Sequence, residues 1–512
     1  MVRHGRLSKG CQICRKRKIK CDQARPHCNQ CLKAGWKCPQ YDDSIERMFL
    51  YHTPKDLDRY TSKPSTTAIR EINSAETPEN TFFRHPLPVK IPSNVIQTIE
   101  CRAIDFFLLT HAFQEEGLIR GHYEYLSAFK NDVMTDKRVL TSLNAVALAA
   151  YAYKFQHLDL LKKARQYYVS SLRYINSALS SRREAAEDGT LISILFLNTF
   201  EALTCEARDS LYHREAHLRG ITTIVELRGV SLFRSRRGLQ LFRQVFLCLS
   251  VSCLMHSIRM PPGLIKLHHY AAAYMNADDP AWKVSDSMVT LASLRADIKN
   301  HTLSDPSNII ESAKEIDRNL SSLTEHIPSQ WHFQTIYIAE PCNLVLETQY
   351  HIYPDVWVAA IWNNIRTCRL LLHQEIKTQL ETVLNTSPHT FSLSDAFQHQ
   401  YSTTTIQQLI SEICASIPQY CGHLPLLSEH SSPTRQATLI EDTSHRHSQN
   451  GIPTTAGIYL LFWPLLNAGQ ITDSETQRNW IIKRSRYIGE MTGIQQAFVL
   501  GDIVGSGVDP FC

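Results

Sequence analysis

No apolar run in this 512-residue chain approaches the ~18 residues that a membrane helix needs. The densest, Gln244 to Met255, is about 12 residues long between Arg243 and His256, and it reads as a buried helix. Catalytic signatures are equally sparse. No GxSxG elbow occurs, and Gly501, Gly505 and Gly507 lack the spacing of a phosphate-cradling loop. His213 and His217 flank Glu215, but the glutamate sits midway between them, so neither HExxH nor HxxEH is spelled. Acidic residues are scarce at one end. Through Gln40 there are eleven Lys/Arg and a single acid, Asp22, although the whole chain carries only +5. The positive field is therefore confined to the N-terminal segment and the remainder is net acidic. That asymmetry favours a nucleic-acid partner at one end over nonspecific basic binding throughout.

Cysteine is concentrated in that basic segment. The spacing is one short unit written twice, CQICRKRKIKC from Cys11 to Cys21 and CNQCLKAGWKC from Cys28 to Cys38, each reading Cys, two residues, Cys, six residues, Cys. Separate four-cysteine sites would need eight thiolates, whereas six suffice for two tetrahedral Zn²⁺ ions if one sulfur of each copy bridges both. Cys11 and Cys28 are the expected bridges. Cys14 and Cys21 then complete one ion, and Cys31 and Cys38 the other. Such a cluster is net negative and favours neighbouring cations, which Arg15, Lys16, Arg17, Lys18 and Lys20 supply. Bound thiolates pin the backbone on both sides of that basic run, so a segment too short to hold a helix in water can hold one here. The opening MVRHGRLSKG has no apolar segment of the secretory kind, so reduced thiols are expected in place of a disulfide framework.

These residues resemble the DNA-binding module of the fungal binuclear zinc cluster (Zn2Cys6) transcription factors, including the basic run before the third cysteine, Asp22 just after it, and Pro26 in the joining loop. The resemblance implies a helix entering the major groove end-on to read a CGG triplet, with Arg17 and Lys18 nearest the bases. A guanine offers O6 and N7 as acceptors, which suits either head group. Arg15, Lys16 and Lys20 are then assigned to phosphates, which fix register without choosing sequence. Lys33 and Lys37, around the helix-stopping Gly35, act as a backbone clamp. The resemblance further implies a nuclear regulator of RNA polymerase II genes, partnered by double-stranded DNA and by co-regulators or the transcription machinery. An alternative reading is a nuclear protein-interaction regulator whose zinc module is structural, and a third is an enzyme with an appended DNA-binding module.

Prolines at positions 54, 64, 78, 86, 88 and 92, with many Ser/Thr between them, mark a flexible linker over residues 41–100, after a DNA-binding domain over 1–40 with its core at 11–38. Tyr41 to Tyr60 carries no leucine heptad, so any homodimer is expected to form through the large region beyond the linker. From 101 to 510 the periodicity is helical. Leu161, Ala164, Tyr168, Leu172, Ile175 and Leu179 trace one stripe, opposite Lys162, Lys163, Arg165 and Arg173. A second begins after Pro354 with Asp355 as cap, through Val358, Ile361, Trp362, Ile365, Leu372 and Ile376. The expected fold is mainly α: a small zinc module, a linker, and a large all-α regulatory domain with a disordered loop near 428–452. HREAHLRGITTIVELRG (His213 to Gly229), VWVAAIWNNIRTCRLLL (Val356 to Leu372) and IYLLFWPLLNAG (Ile458 to Gly469) resemble the regulatory domain that follows the zinc cluster in fungal factors. Nine further cysteines, scattered without ligand spacing, read as buried small hydrophobes.

Overall fold

Side-chain caps fix where the helices of this chain begin. A computed structural model describes residues 13–14, 17, 19, 21–22, 28–36, 97–112, 122–126, 135–207, 210–275, 279–338, 343–422 and 454–507. Contacts divide the chain into two units, Met1–Leu50 and Tyr51–Cys512. The linker residues 41–96 and the loop expected at 428–452 lie outside the described residues. In the first unit the described helix is α1 (Asn29–Lys33). The second is helical nearly throughout: α2 (Ile99–His111), α3 (Lys137–Lys154), α4 (Asp159–Leu179), α5 (Arg182–Ala185), α6 (Asp188–Leu203), α7 (Ser210–Arg228), α8 (Arg236–His256), α9 (Pro262–Ala271), α10 (Pro280–Lys299), α11 (Pro306–Glu325), α12 (Val356–Thr386), α13 (Leu393–Tyr420), α14 (Thr454–Ile471), α15 (Glu475–Thr492) and α16 (Gln495–Ser506). Thr98, Asp136, Asp279, Asp305, Asp355, Ser392 and Ser474 each accept a first-turn N–H with the side chain. Asp279 and Asp305 are followed by proline, whose missing N–H costs nothing at that position. Ser392 and Asp395 form a reciprocal capping box.

Two helices organise the core of this unit. In α6 every residue from Gly189 to Leu203 is buried, and it packs against α3 and α7. The long α12 is surrounded by α10, α11, α13 and α14. Its expected cap is present, Asp355 Oδ1 accepting from Val358 N–H at 2.8 Å. The stripe read from the sequence faces inward except for Trp362, which is half-buried and donates its indole N–H to the Trp331 carbonyl at 2.8 Å. In α4, Leu161, Ala164, Tyr168, Leu172 and Ile175 are buried as expected, and Leu179 is half-buried. Gly493 ends α15 at φ +81°, where a Cβ would lie 2.8 Å from the Lys154 nitrogen, so the ends of α3 and α15 approach closely. Among the described helices α8 has the length and apolar composition to cross a membrane, yet 67% of that stretch is buried inside the domain, as expected for a core helix.

The all-α expectation needs one amendment. β1 (Gln334–Tyr337) and β2 (Gln349–Ile352) pair antiparallel, Gln334 opposite Ile352 and Tyr337 opposite Gln349. QTIY and QYHI are too short for a helix and rich in residues that suit a pleated surface, and β2 buries Tyr350 and His351 against α13. Gln419 of α13 fixes the exit of this hairpin, its amide accepting from Tyr353 N–H and donating to Tyr353 C=O at 2.8 and 2.9 Å.

Three enclosed histidines make the fold acid-sensitive. Burial and the neighbouring His122 hold His111 down to about 3. Burial holds His122 to about 4, and burial with the Arg366 charge holds His351 to about 4. In the unfolded chain each binds its proton near 6.5, so between about pH 6.5 and 4 the unfolded state takes up more protons. Stability is therefore full above that window and falls as pH drops through it, by up to about 1.4 kcal/mol per pH unit for each histidine. Urea midpoints measured from about pH 7.5 to about pH 5 should fall steadily. A flat profile would contradict the burial of these neutral rings.

Candidate zinc centre and nucleic-acid interface

The sequence repeat is repeated in the backbone. In the first copy Arg17 N–H donates to Ile13 C=O and Ile19 N–H to Cys14 C=O, both at 3.0 Å. At the corresponding places of the second copy Ala34 N–H donates to Gln30 C=O at 3.2 Å and Trp36 N–H to Cys31 C=O at 2.9 Å. The second turn closes as expected at Gly35. Its φ of +66° is open to glycine without the Cβ penalty, and its N–H reaches Leu32 C=O at 3.2 Å, completing a Schellman stop with the Trp36 bond. Cys28 caps the start of α1, its sulfur accepting from Cys31 N–H at 3.4 Å. Asp22 joins the two copies. Both of its carboxylate oxygens accept from Asn29 N–H, at 3.1 and 3.2 Å.

Among the described residues, two groups of potential ligands form around Cys28. The sulfurs of Cys14, Cys28 and Cys31 lie within 4.8 Å of one another, and so do the ligand atoms of Cys21, Asp22 and Cys28. Cys14 Sγ and Cys28 Sγ are 3.7 Å apart. Two thiolates on one tetrahedral zinc, each about 2.3 Å from the metal, are separated by about 3.8 Å, whereas a disulfide would bring them to about 2.05 Å. The Cys14 and Cys28 sulfurs therefore fit one shared metal, and Cys14, Cys28 and Cys31 are shielded from solvent. Asp22 reaches the same group, but its oxygens are engaged with Asn29, so its part is to cap α1. Cys11 and Cys38 lie outside the described residues.

Of the cations assigned to DNA, Arg17 and Lys33 are described, and both are exposed. Arg15, Lys16, Lys18, Lys20 and Lys37 lie outside the described residues. The Arg17 guanidinium stands 4.0 Å from the centroid of the Trp36 ring. Trp36, with Ile13 and Cys21, packs against the buried cysteines. Sequence reasoning gave Trp36 no role. Its only signal is that each copy places an apolar residue five positions after its second cysteine, Ile19 and then Trp36.

Among the described residues of the second unit, one arrangement imitates a catalytic triad. Ser402 Oγ lies 3.1 Å from His373 Nδ1, and His373 Nε2 lies 3.3 Å from Asp317 Oδ2. Its surroundings preclude hydrolysis. Ser402 is wholly buried within α13, so no substrate reaches it, and Asp317 is engaged by Arg369 at 2.7 Å. Burial raises the Asp317 carboxyl, but His373 and Arg369 outweigh it and hold the group below the usual range. The array ties α11, α12 and α13 together. His217 is buried, 3.3 Å from the Tyr168 hydroxyl and 3.8 Å from Glu201. Cys205, Cys253, Cys368, Cys414 and Cys421 are buried as expected, but Cys248 is half-buried and Cys101 is exposed on the outer side of α2. Cys342 and Cys512 lie outside the described residues. Burial pushes Cys253 up to about 11 and Cys368 and Cys421 up to about 12, so these thiols stay protonated and unreactive.

Comparison with known families agrees with both units. Residues 9–48 match the fungal Zn(2)-Cys(6) binuclear cluster domain, and residues 123–498 match the fungal specific transcription factor domain. The chain belongs to the family of fungal transcription factors that carry these two domains. Among curated relatives, transcription factor MAR1 of Candida glabrata is 61% identical over 33 residues, covering 6% of this chain and 2% of that protein. The heme-responsive zinc finger transcription factor HAP1 of Saccharomyces cerevisiae is 58% identical over 93 residues, covering 15% of this chain and 6% of that protein. The chain thus spans only a small fraction of the length of these relatives. No solved structure matches it.

Proposed function

We propose that the first unit binds two Zn²⁺ ions through Cys11, Cys14, Cys21, Cys28, Cys31 and Cys38, with Cys11 and Cys28 bridging, and reads a CGG triplet in the major groove. The single observation that supports this reading most is the position of Cys28, common to two ligand groups and 3.7 Å from the Cys14 sulfur. Zinc would supply the fold of a module too small to build its own core, and would keep the bound sulfurs as thiolates. Arg17 and Lys18 would then donate to guanine edges, while Arg15, Lys16, Lys20, Lys33 and Lys37 hold phosphates. In this reading the chain acts in the nucleus on genes transcribed by RNA polymerase II. The helical unit controls output through co-regulators or the transcription machinery, and it carries any self-association, since no leucine heptad lies just beyond the zinc module.

The two classes of cation separate in a binding experiment. Lys18→Ala should weaken binding to a CGG duplex by about 1 to 3 kcal/mol and relax base choice at the triplet. Lys33→Ala should lower affinity equally for all duplexes and reduce the slope of affinity against salt by about 1. Equal loss of base discrimination from both substitutions would contradict this division.

A further inference from the structure

We propose that Trp36 is a positioning residue for base recognition, holding the Arg17 guanidinium in place before DNA arrives. The inference rests on the triplet-reading role proposed above and adds to it the element that orients the reading side chain. An exposed arginine on a flexible stem loses rotamer freedom when it docks against a base. Here the guanidinium already stands 4.0 Å from the centre of an indole ring. That ring is anchored in turn, because Trp36 packs against the buried cysteines beside Ile13 and Cys21, and its backbone N–H is bound to Cys31 C=O. Orientation thus passes from the cysteine cluster shared by both copies, through Trp36 of the second, to the basic turn of the first. A guanidinium stacked face-on over an indole ring keeps its in-plane N–H donors free to bond elsewhere. Those are the donors that fork onto guanine O6 and N7. Ile19, the counterpart of Trp36 in the first copy, has no π-face, so the device belongs to one copy only.

The test uses the full zinc-loaded chain in five forms: unaltered, Trp36→Leu, Trp36→Phe, Arg17→Ala, and Arg17→Ala with Trp36→Leu. Dissociation constants are measured for a CGG duplex and for one with the triplet guanines replaced, with zinc content followed by elemental analysis. Trp36→Leu should keep its zinc and lose about 3- to 10-fold in discrimination between the duplexes. Trp36→Phe should recover most of that loss, and Trp36→Leu should have no further effect once Arg17 is alanine. The proposal is overturned if the Trp36→Leu loss falls equally on both duplexes, persists undiminished in the Arg17→Ala background, or is not relieved by phenylalanine. If the unaltered chain fails to discriminate, the triplet-reading function falls and this proposal with it. Discrimination by the unaltered chain combined with any of the three overturning outcomes removes this proposal alone.

Discussion

Cys28→Ser is expected to abolish sequence-selective DNA binding, reducing affinity for a CGG duplex by at least about 10³-fold and leaving the salt-sensitive attraction of a basic, unfolded segment. Cys28 is common to both described ligand groups, and it also caps α1 through its sulfur. A serine hydroxyl remains protonated at neutral pH and is a poor substitute for thiolate, so the change removes one ligand from each proposed metal position at once. Cys14→Ser removes a ligand from only one, and should leave a chain that retains part of its metal. Comparing the zinc content of the two variants therefore tests the bridge itself. Equal metal loss in both would mean that Cys28 is an ordinary ligand.

The largest effect in the helical unit is expected at Arg366. Its guanidinium is almost wholly buried in α12, where Nε donates to Glu412 Oε2 at 2.9 Å and Nη1 to the Tyr353 hydroxyl at 2.6 Å and to Asn363 Oδ1 at 3.1 Å. The rings of Phe333, Tyr353 and Trp362 surround it at 5.1 to 5.7 Å. One side chain thus links α12, α13 and the segment just after the hairpin. Burial raises the Glu412 carboxyl, but the Arg366 charge and hydrogen bonds from Gln408 and Arg366 prevail and hold it below the usual range. Arg366→Ala leaves that carboxylate without its counter-charge and opens a cavity among three rings, and should cost about 3 to 5 kcal/mol of unfolding free energy. Arg318→Ala removes an exposed arginine paired with Glu311 on one face of α11 and should cost less than about 1 kcal/mol. Urea unfolding followed by circular dichroism reads both, and similar midpoints for the two variants would contradict the importance of the buried network.

Much of the architecture was legible because its signals are local. The glycine that stops α1, the Asp355 cap and the apolar stripe of α4 each reside within a few consecutive turns, and each is present in the structure. The groups that had to be found in three dimensions share the opposite property. Ser402, His373 and Asp317 come from three helices, and Arg366 finds Glu412 46 positions away. Neither grouping leaves a periodic trace. The hairpin escaped notice because four-residue strands are shorter than any reliable alternation. Trp36 drew no reading from the sequence, since its partner lies on the other copy of the repeat.

Native mass spectrometry of the full chain, with and without a CGG duplex and before and after exhaustive chelation, tests the central claim most directly. The account predicts two zinc ions per chain, a complex with the duplex, and loss of that complex in step with the metal. A chain that carries a different number of zinc ions under reducing conditions, or that holds the duplex selectively after every metal ion has been removed, would contradict it.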